Sequence, residues 1–320
     1  MKHRRPRRLL ERPSWRFGLV VLAALALFGI FAEWITADLP LYLDYGGRSY
    51  VFPALTGHGP FSEGTRAGEI VAVLGPDDRA VWPLFRAGPL TETTARMASA
   101  SADHPLGTDA FGRDVLARLI YGTRASLALG ASIAVTSVAL GLLLGALSGA
   151  LGGVFQGLIE RLVEIVGVFP AVVAIALVRA LEHRPSVASL FLVIAAVQGA
   201  TIARLTHVLV IRTMAEDFAV GAKAIGASPL RIAFRHATPH LVAPLAVAAV
   251  FAMASTVLIE TSLTFLDLGV PPKVASWGEM LGEIRWGAGP WIIVPPLVAL
   301  ALTVGALYAL AEGLRRTFAR

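Results

Sequence analysis

The side chains best placed to do chemistry fall in a few short runs. His104, Asp109 and Asp114 share one polar stretch, His104-Pro-Leu-Gly-Thr-Asp109-Ala-Phe-Gly-Arg113-Asp114. An imidazole with two carboxylates is a donor set that a divalent cation accepts. Simpler roles also account for these groups. Thr108 or Asp109 can cap a short helix, and Asp114 and Arg118 stand at i,i+4, where opposite charges pair. No metal is assigned. His236 and His240 are also four apart, but Pro239 lies between them beside an apolar run, which suits polar contacts better than ligation. No Gly-x-x-x-x-Gly-Lys-Ser/Thr loop is present to cradle nucleotide phosphates, nor a Gly-x-Ser-x-Gly or His-Glu-x-x-His motif. The absence of cysteine excludes disulfides, thiolate metal sites, iron–sulfur clusters and cysteine nucleophiles. The chain is read as no enzyme by itself, with no catalytic residue and no cofactor of its own.

The elements around these runs belong to a membrane. Of 320 residues, 56% are hydrophobic and 16% charged, with a mean hydropathy of +0.68. A soluble chain carries roughly 25% charged residues. Crossing the hydrocarbon as helix takes about 18 or more mainly apolar residues. Six stretches qualify: 17–35, 126–151, 158–181, 187–203, 241–263 and 291–311. Each is a continuous run rich in Ala, Leu and Val, without the alternation of a barrel strand. The fold class is an all-α polytopic membrane protein. The first run has no small-x-small cleavage site, and Trp34 suits an interfacial anchor, so it is read as an uncleaved helix.

Lys and Arg set the orientation. Lys2, Arg4, Arg5, Arg7, Arg8, Arg12 and Arg16 precede the first span. Arg204, Arg212, Lys223, Arg231 and Arg235 lie between the fourth and fifth, and Arg315, Arg316 and Arg320 close the chain. The opposite connections carry only Arg184 in one and Lys273 and Arg285 in the other. Both termini and the 204–240 segment are therefore expected in the cytoplasm. The +6 net charge is chiefly an orientation record, with anionic headgroups as neighbours and no nucleic acid. The expected organisation is a basic tail (1–16), a first transmembrane helix (17–35), a large external segment (36–123), a five-helix core (124–312) with the loop 204–240, and a cytoplasmic tail (313–320).

Two loops carry information. The external segment begins with Tyr42, Tyr45, Tyr50 and Phe52 among glycines and prolines, which reads as short strands, turns or irregular structure. It ends in an amphipathic helix expected to lie at the membrane surface, with Val115, Leu116, Leu119 and Ile120 on one face. In the internal segment, 216–225 can form a short helix. Gly226 supplies a break or a positive φ, and Ser228-Pro229 can start a second helix. Such a hook can insert into a partner's groove or serve as a solvated connector. Within the spans, Gly141, Gly145, Gly149 and Gly153 form a small stripe, for packing inside the chain or against a second subunit. Pro170, Pro244, Pro295 and Pro296 can kink their spans. Charges inside the spans are few: Glu160, Arg161 and Glu164 near one end, and Glu260 near the external end of the fifth. Glu260 either lines the pathway or the external gate, or orients the loop that follows. The scarcity of mid-membrane charge argues for energy supplied from outside the chain.

Three runs together carry a family resemblance: 104–128, 216–240, and Glu260-Thr-Ser-Leu-Thr-Phe-Leu-Asp-Leu-Gly-Val-Pro-Pro272 through Ser276-Trp-Gly-Glu-Met-Leu281. In this order, across most of the chain, they resemble the C-type permease subunit of peptide-class (dipeptide, oligopeptide and nickel) ABC importers. The resemblance implies the type I ABC importer permease fold in a bacterial plasma (inner) membrane. It implies a second homologous permease, two ATPase subunits holding ATP and Mg, an external solute-binding protein and a peptide-like substrate. Residues 218–230 would dock into an ATPase subunit, and Phe218, Gly221, Ala222, Lys223, Gly226, Ala227, Ser228 and Pro229 match that coupling loop. The loop departs from the general importer pattern, with Val220-Gly221-Ala222 where Glu-Ala-Ala is usual and Thr238-Pro239 in place of Leu-Pro. The external segment is longer than in many relatives, which suggests contact with a particular binding protein. The rival classes are a self-contained carrier or channel and a membrane-anchored scaffold.

Overall fold

A computed structural model describes residues 13–56, 59–62, 64–182, 186–269 and 274–318. Most of the basic N-terminal cluster, together with Arg184, Lys273 and Arg320, lies outside the described residues. The chain divides into two compact units. One comprises Ala23–Leu127 with Glu260–Leu302, and the other Ala128–Ile259 with residues up to 22 and from 303 onward.

In the first unit, the end of α1 (Pro13–Ile30) leads through α2 (Ala32–Ile35) into β1 (Tyr42–Tyr45) and β2 (Arg48–Val51). Gly46 and Gly47, at φ 58° and 73°, form the two-residue turn between them. Positive φ at both positions gives the twist a tight hairpin needs. After α3 (Pro53–Thr56) and α4 (Ala67–Val73), β3 (Arg79–Val81) pairs with β1 to complete a three-stranded antiparallel sheet in the order β2-β1-β3. Asp38, buried, fastens this module by accepting from Gly64 N at 2.7 Å and Thr91 Oγ1 at 2.8 Å.

The 115–120 stretch does not form a separate surface helix. It is the opening of α5 (Val115–Leu151), 37 residues long. At 1.5 Å per residue that is about 55 Å, well beyond the roughly 30 Å of hydrocarbon. Nothing at 121–126 ends the helix: Gly122 alone is too weak a breaker, and Thr123 satisfies its hydroxyl on Leu119 O at 2.8 Å. The cap is also different from the one expected. Asp114 Oδ1 accepts from Ala117 N at 2.7 Å, whereas Asp109 holds the turn before it.

In the second unit, Gly152 and Gly153 at φ 64° and 58° end α5 and start α6 (Gly153–Val168). The expected single span 158–181 is broken. α6 and α7 (Ala171–Leu181) meet at 86°. Phe169, at ψ 124°, takes the extended conformation that the proline ring imposes on the preceding residue, and Pro170 follows at ψ 132°. α8 (Val187–Met214) runs well past the expected end at 203. It is followed by α9 (Asp217–Ala224), α10 (Pro229–Arg231), a π turn (Ile232–Ala237) and α11 (Thr238–Phe265). The chain closes with α12 (Trp277–Gly282) and a 3-10 turn (Glu283–Trp286), both in the first unit, and α13 (Pro290–Phe318). Pro244, Pro295 and Pro296 sit inside continuous helices. Among the described residues four helices are long and apolar enough to cross a membrane, and the bent pair would make a fifth. α1 is apolar over Ser14–Ile30 but shorter.

Candidate functional site

The hook is built by local rules. α9 closes with Gly226 N donating to Lys223 O and Ala227 N to Ala222 O, both at 3.0 Å. These two bonds with a left-handed glycine make a Schellman closure, and Gly226 has φ +90°. Ser228 then caps α10, accepting from Arg231 N at 3.3 Å, with Pro229 at the first helical position. The π turn that follows is a feature the sequence pattern did not signal.

Burial gives the hook two faces. Ala219, Ile232, Ala233 and Ala237 are fully buried, and the first three join a core with Val210, Met214 and Leu241, against which Ala222 and Ala227 also pack. The other face is open and apolar. Phe218, Val220, Ile225 and Leu230 are exposed, Ile225 to 88%. Lys223, Ser228 and Pro229 are exposed as well. A Cβ added at Gly221 or Gly226 would meet nothing within 4 Å. Phe218 lies against the His240 ring, with centroids 5.7 Å apart.

Three of the four stripe glycines face α8. A Cβ would approach Ile202 to 2.6 Å from Gly141, Ala203 O to 2.5 Å from Gly145, and Val210 to 2.9 Å from Gly149. Gly153 meets nothing and belongs to the next helix, because α5 ends at Leu151. Of the charges near this packing, Glu160 lies 3.0 Å from His207 Nε2, and Ser148 Oγ is 2.7 Å from His207 Nδ1. Arg161 and Glu164 pair on the exposed face of α6 at 3.0 Å.

The other unit buries charge. Asp109, fully buried, accepts from the backbone of Phe111 and Arg113 at 2.8 and 2.9 Å and from Arg113 Nε at 2.7 Å. Arg113 continues to Glu279 at 3.1 Å and Glu283 at 2.9 Å. Arg118, also fully buried, bonds Asp109, Glu279 and Glu283. The expected Asp114–Arg118 pair is therefore not made, because three carboxylates compete for this guanidinium. Asp114 bonds His104 Nδ1 at 2.8 Å instead. Two arginines face three carboxylates, leaving one negative charge in excess. Burial pushes the Glu283 carboxyl above the ordinary range, with Asp109 adding repulsion and Arg118 opposing. Sequence reasoning missed Glu283, and Glu279 entered only as part of a motif. Their partners lie 161 to 170 residues away, beyond any local pattern.

Glu260 is 2% exposed and accepts from Thr264 Oγ1 at 3.0 Å within α11. The described chain is interrupted after Gly269, so the Val270–Pro272 part of the motif lies outside the described residues. Ser276, buried, accepts from Glu279 N at 3.2 Å to cap α12, and Trp277 is fully buried with Nε1 3.4 Å from Leu119 O.

Long apolar helices, with an exposed hook carried on a buried base, define a polytopic helical membrane protein. It belongs to the family described as binding-protein-dependent transport system inner membrane component, which residues 141–320 match. The dipeptide transport system permease protein DppC of Alkalihalophilus pseudofirmus is 34% identical over 238 residues, 73% of this chain and 78% of that protein. The di/tripeptide transport system permease protein DppC of Pseudomonas aeruginosa is 36% identical over 217 residues, 66% of this chain and 70% of that one. Among solved structures, the inward-facing MetNI methionine ABC transporter is similar in fold, with a TM-score of 0.52 at 15% identity. That match covers 63% of this chain and 96% of the other.

Proposed function

We propose that the chain is one permease subunit of an ABC importer for peptides or related solutes, with a second homologous permease completing the pathway. On this reading the chain has six spans, both termini and the hook are in the cytoplasm of a bacterium with the spans in its inner membrane, and the 36–123 segment is outside. The bent α6–α7 pair supplies one span, and α1 with its flanking residues another. Separate ATPase subunits hold ATP and Mg, and an external binding protein delivers the solute. Relatives that are dipeptide and di/tripeptide permeases support the substrate class.

The observation that carries the reading is the hook itself. Its inner face is buried in the helix core, so a push on it is transmitted to α8 and α11. Its outer face exposes Phe218, Val220, Ile225 and Leu230, apolar groups that a partner groove would remove from water. ATP-driven closure of the ATPase pair would tip the helices through this contact. Glu260, buried near the end of its span, acts in this scheme as a support for the segment after α11.

The test replaces Gly226 and Ala227 with glutamate in the co-expressed complex. Loss of the ATPase subunits on purification, with membrane insertion intact, is expected. Unchanged assembly and ATP-dependent uptake would refute the hook's role.

A further inference from the structure

A cavity of about 450 Å³ opens in the unit that carries the three-stranded sheet, within the size range of small-molecule sites. Arg66, Arg86, Asp103, His104 and Asp114 line it. Asp114 is 2% exposed and fixed from two sides, by Ala117 N at 2.7 Å and His104 Nδ1 at 2.8 Å. A buried carboxylate accepting from Nδ1 sets the tautomer and ring orientation and leaves Nε2 as the imidazole's other polar atom. Nε2 has no hydrogen-bond partner among the described residues. The two guanidiniums are positioned but not neutralised. Arg66 Nε donates to Glu92 O at 2.9 Å, and Arg86 Cζ lies 5.0 Å over the Trp82 ring. Neither is in an ion pair among the described residues, in contrast to Arg113 and Arg118.

Two guanidiniums that form no ion pair among the described residues, both on one cavity, suit a planar anion that accepts several hydrogen bonds, while the oriented imidazole's Nε2 suits an N–H donor. A carboxylate matches the guanidinium fork in two-point contact. Asp103, exposed on the same cavity, suits an ammonium group. Both charges occur together at the ends of a short peptide. We propose that this cavity binds a short peptide, with Arg66 and Arg86 holding its C-terminal carboxylate and His104 Nε2, oriented by the Asp114 contact, accepting from a peptide N–H. The peptide class rests on the permease reading above. The carboxylate preference rests on the cavity's own residues.

The experiment uses the full chain co-purified with its partner subunits in nanodiscs, without a binding protein. Equilibrium binding of radiolabelled trialanine is compared with that of its C-terminal amide. Amidation, Arg66→Gln and Arg86→Gln are each expected to weaken binding by about tenfold or more, the scale of one lost charge-assisted contact. Both arginines are exposed, so these variants keep the fold, which the thermal midpoint verifies. Equal affinity for acid and amide, unweakened binding in both variants, or no trialanine binding would each overturn the proposal. ATP-driven peptide uptake by the same complex in liposomes, with its external binding protein added, tests the permease reading separately. Uptake with acid and amide bound equally overturns the cavity alone. Acid-selective binding without ATP-driven uptake overturns the permease reading and supports the cavity.

Discussion

The hook and the 109–118/279–283 network treat side chains in opposite ways. The network takes five charged groups out of water and pairs each guanidinium with three carboxylates. The hook leaves four large apolar groups in the open on a base that is fully buried. Burying charge is costly, and it persists where geometry satisfies it, so the network reads as an internal clasp between distant parts of the chain. Exposed apolar surface on a rigid loop has no such internal account and reads as a surface awaiting a partner. The two regions thus separate what holds the chain together from apolar surface that the chain itself does not cover.

The sharpest way to break the contrast is Arg118→Met. It leaves Asp109, Glu279 and Glu283 with Arg113 as their remaining cation, and breaking one side of such a buried arrangement costs about 3–5 kcal/mol. A large fall in the thermal midpoint of the solubilised chain is expected. A midpoint within a degree or two of wild type would mean the network is ornamental. Glu283→Gln is milder and reports through pH. Because burial raises this carboxyl in the fold, the folded state favours its protonated form. Its contribution to stability is then full below the ordinary glutamate range and is lost as pH rises through the raised value. The Gln variant should flatten that part of the stability profile, and an unchanged profile would argue against it. Gly221→Ala has the smallest effect on stability. Its Cβ meets nothing within the chain, and alanine is the better helix former by up to about 1 kcal/mol. The isolated chain should be unchanged or slightly stabilised while ATPase association weakens. A stabilised chain that binds its ATPase as before would remove Gly221 from the contact.

The same contrast explains what the sequence disclosed. The hook is governed by near neighbours, so Gly226 and Ser228-Pro229 announced its break and its second helix. The network's partners are joined only by tertiary folding, so Asp114–Arg118 looked like the natural pair when Asp114 in fact caps α5 and orients His104. Proline was ambiguous for a related reason. Pro170 follows an extended Phe169 and splits a span by 86°, whereas Pro244 sits inside an unbroken α11. Spacing alone does not distinguish the two. The glycine stripe was legible through Gly149, and Gly153 fell out because paired positive-φ glycines had already ended the helix.

The absence of cysteine makes the central claim directly measurable. A single cysteine at Ile225, the most exposed of the hook's large apolar residues, can be reacted with a short bifunctional cross-linker in membranes containing the co-expressed ATPase. Ala219→Cys, on the buried face, and Leu84→Cys, exposed in the other unit, serve as controls. Ile225→Cys should capture the ATPase subunit and neither control should. Capture through Leu84→Cys, or none through Ile225→Cys in an assembled complex, would contradict the account.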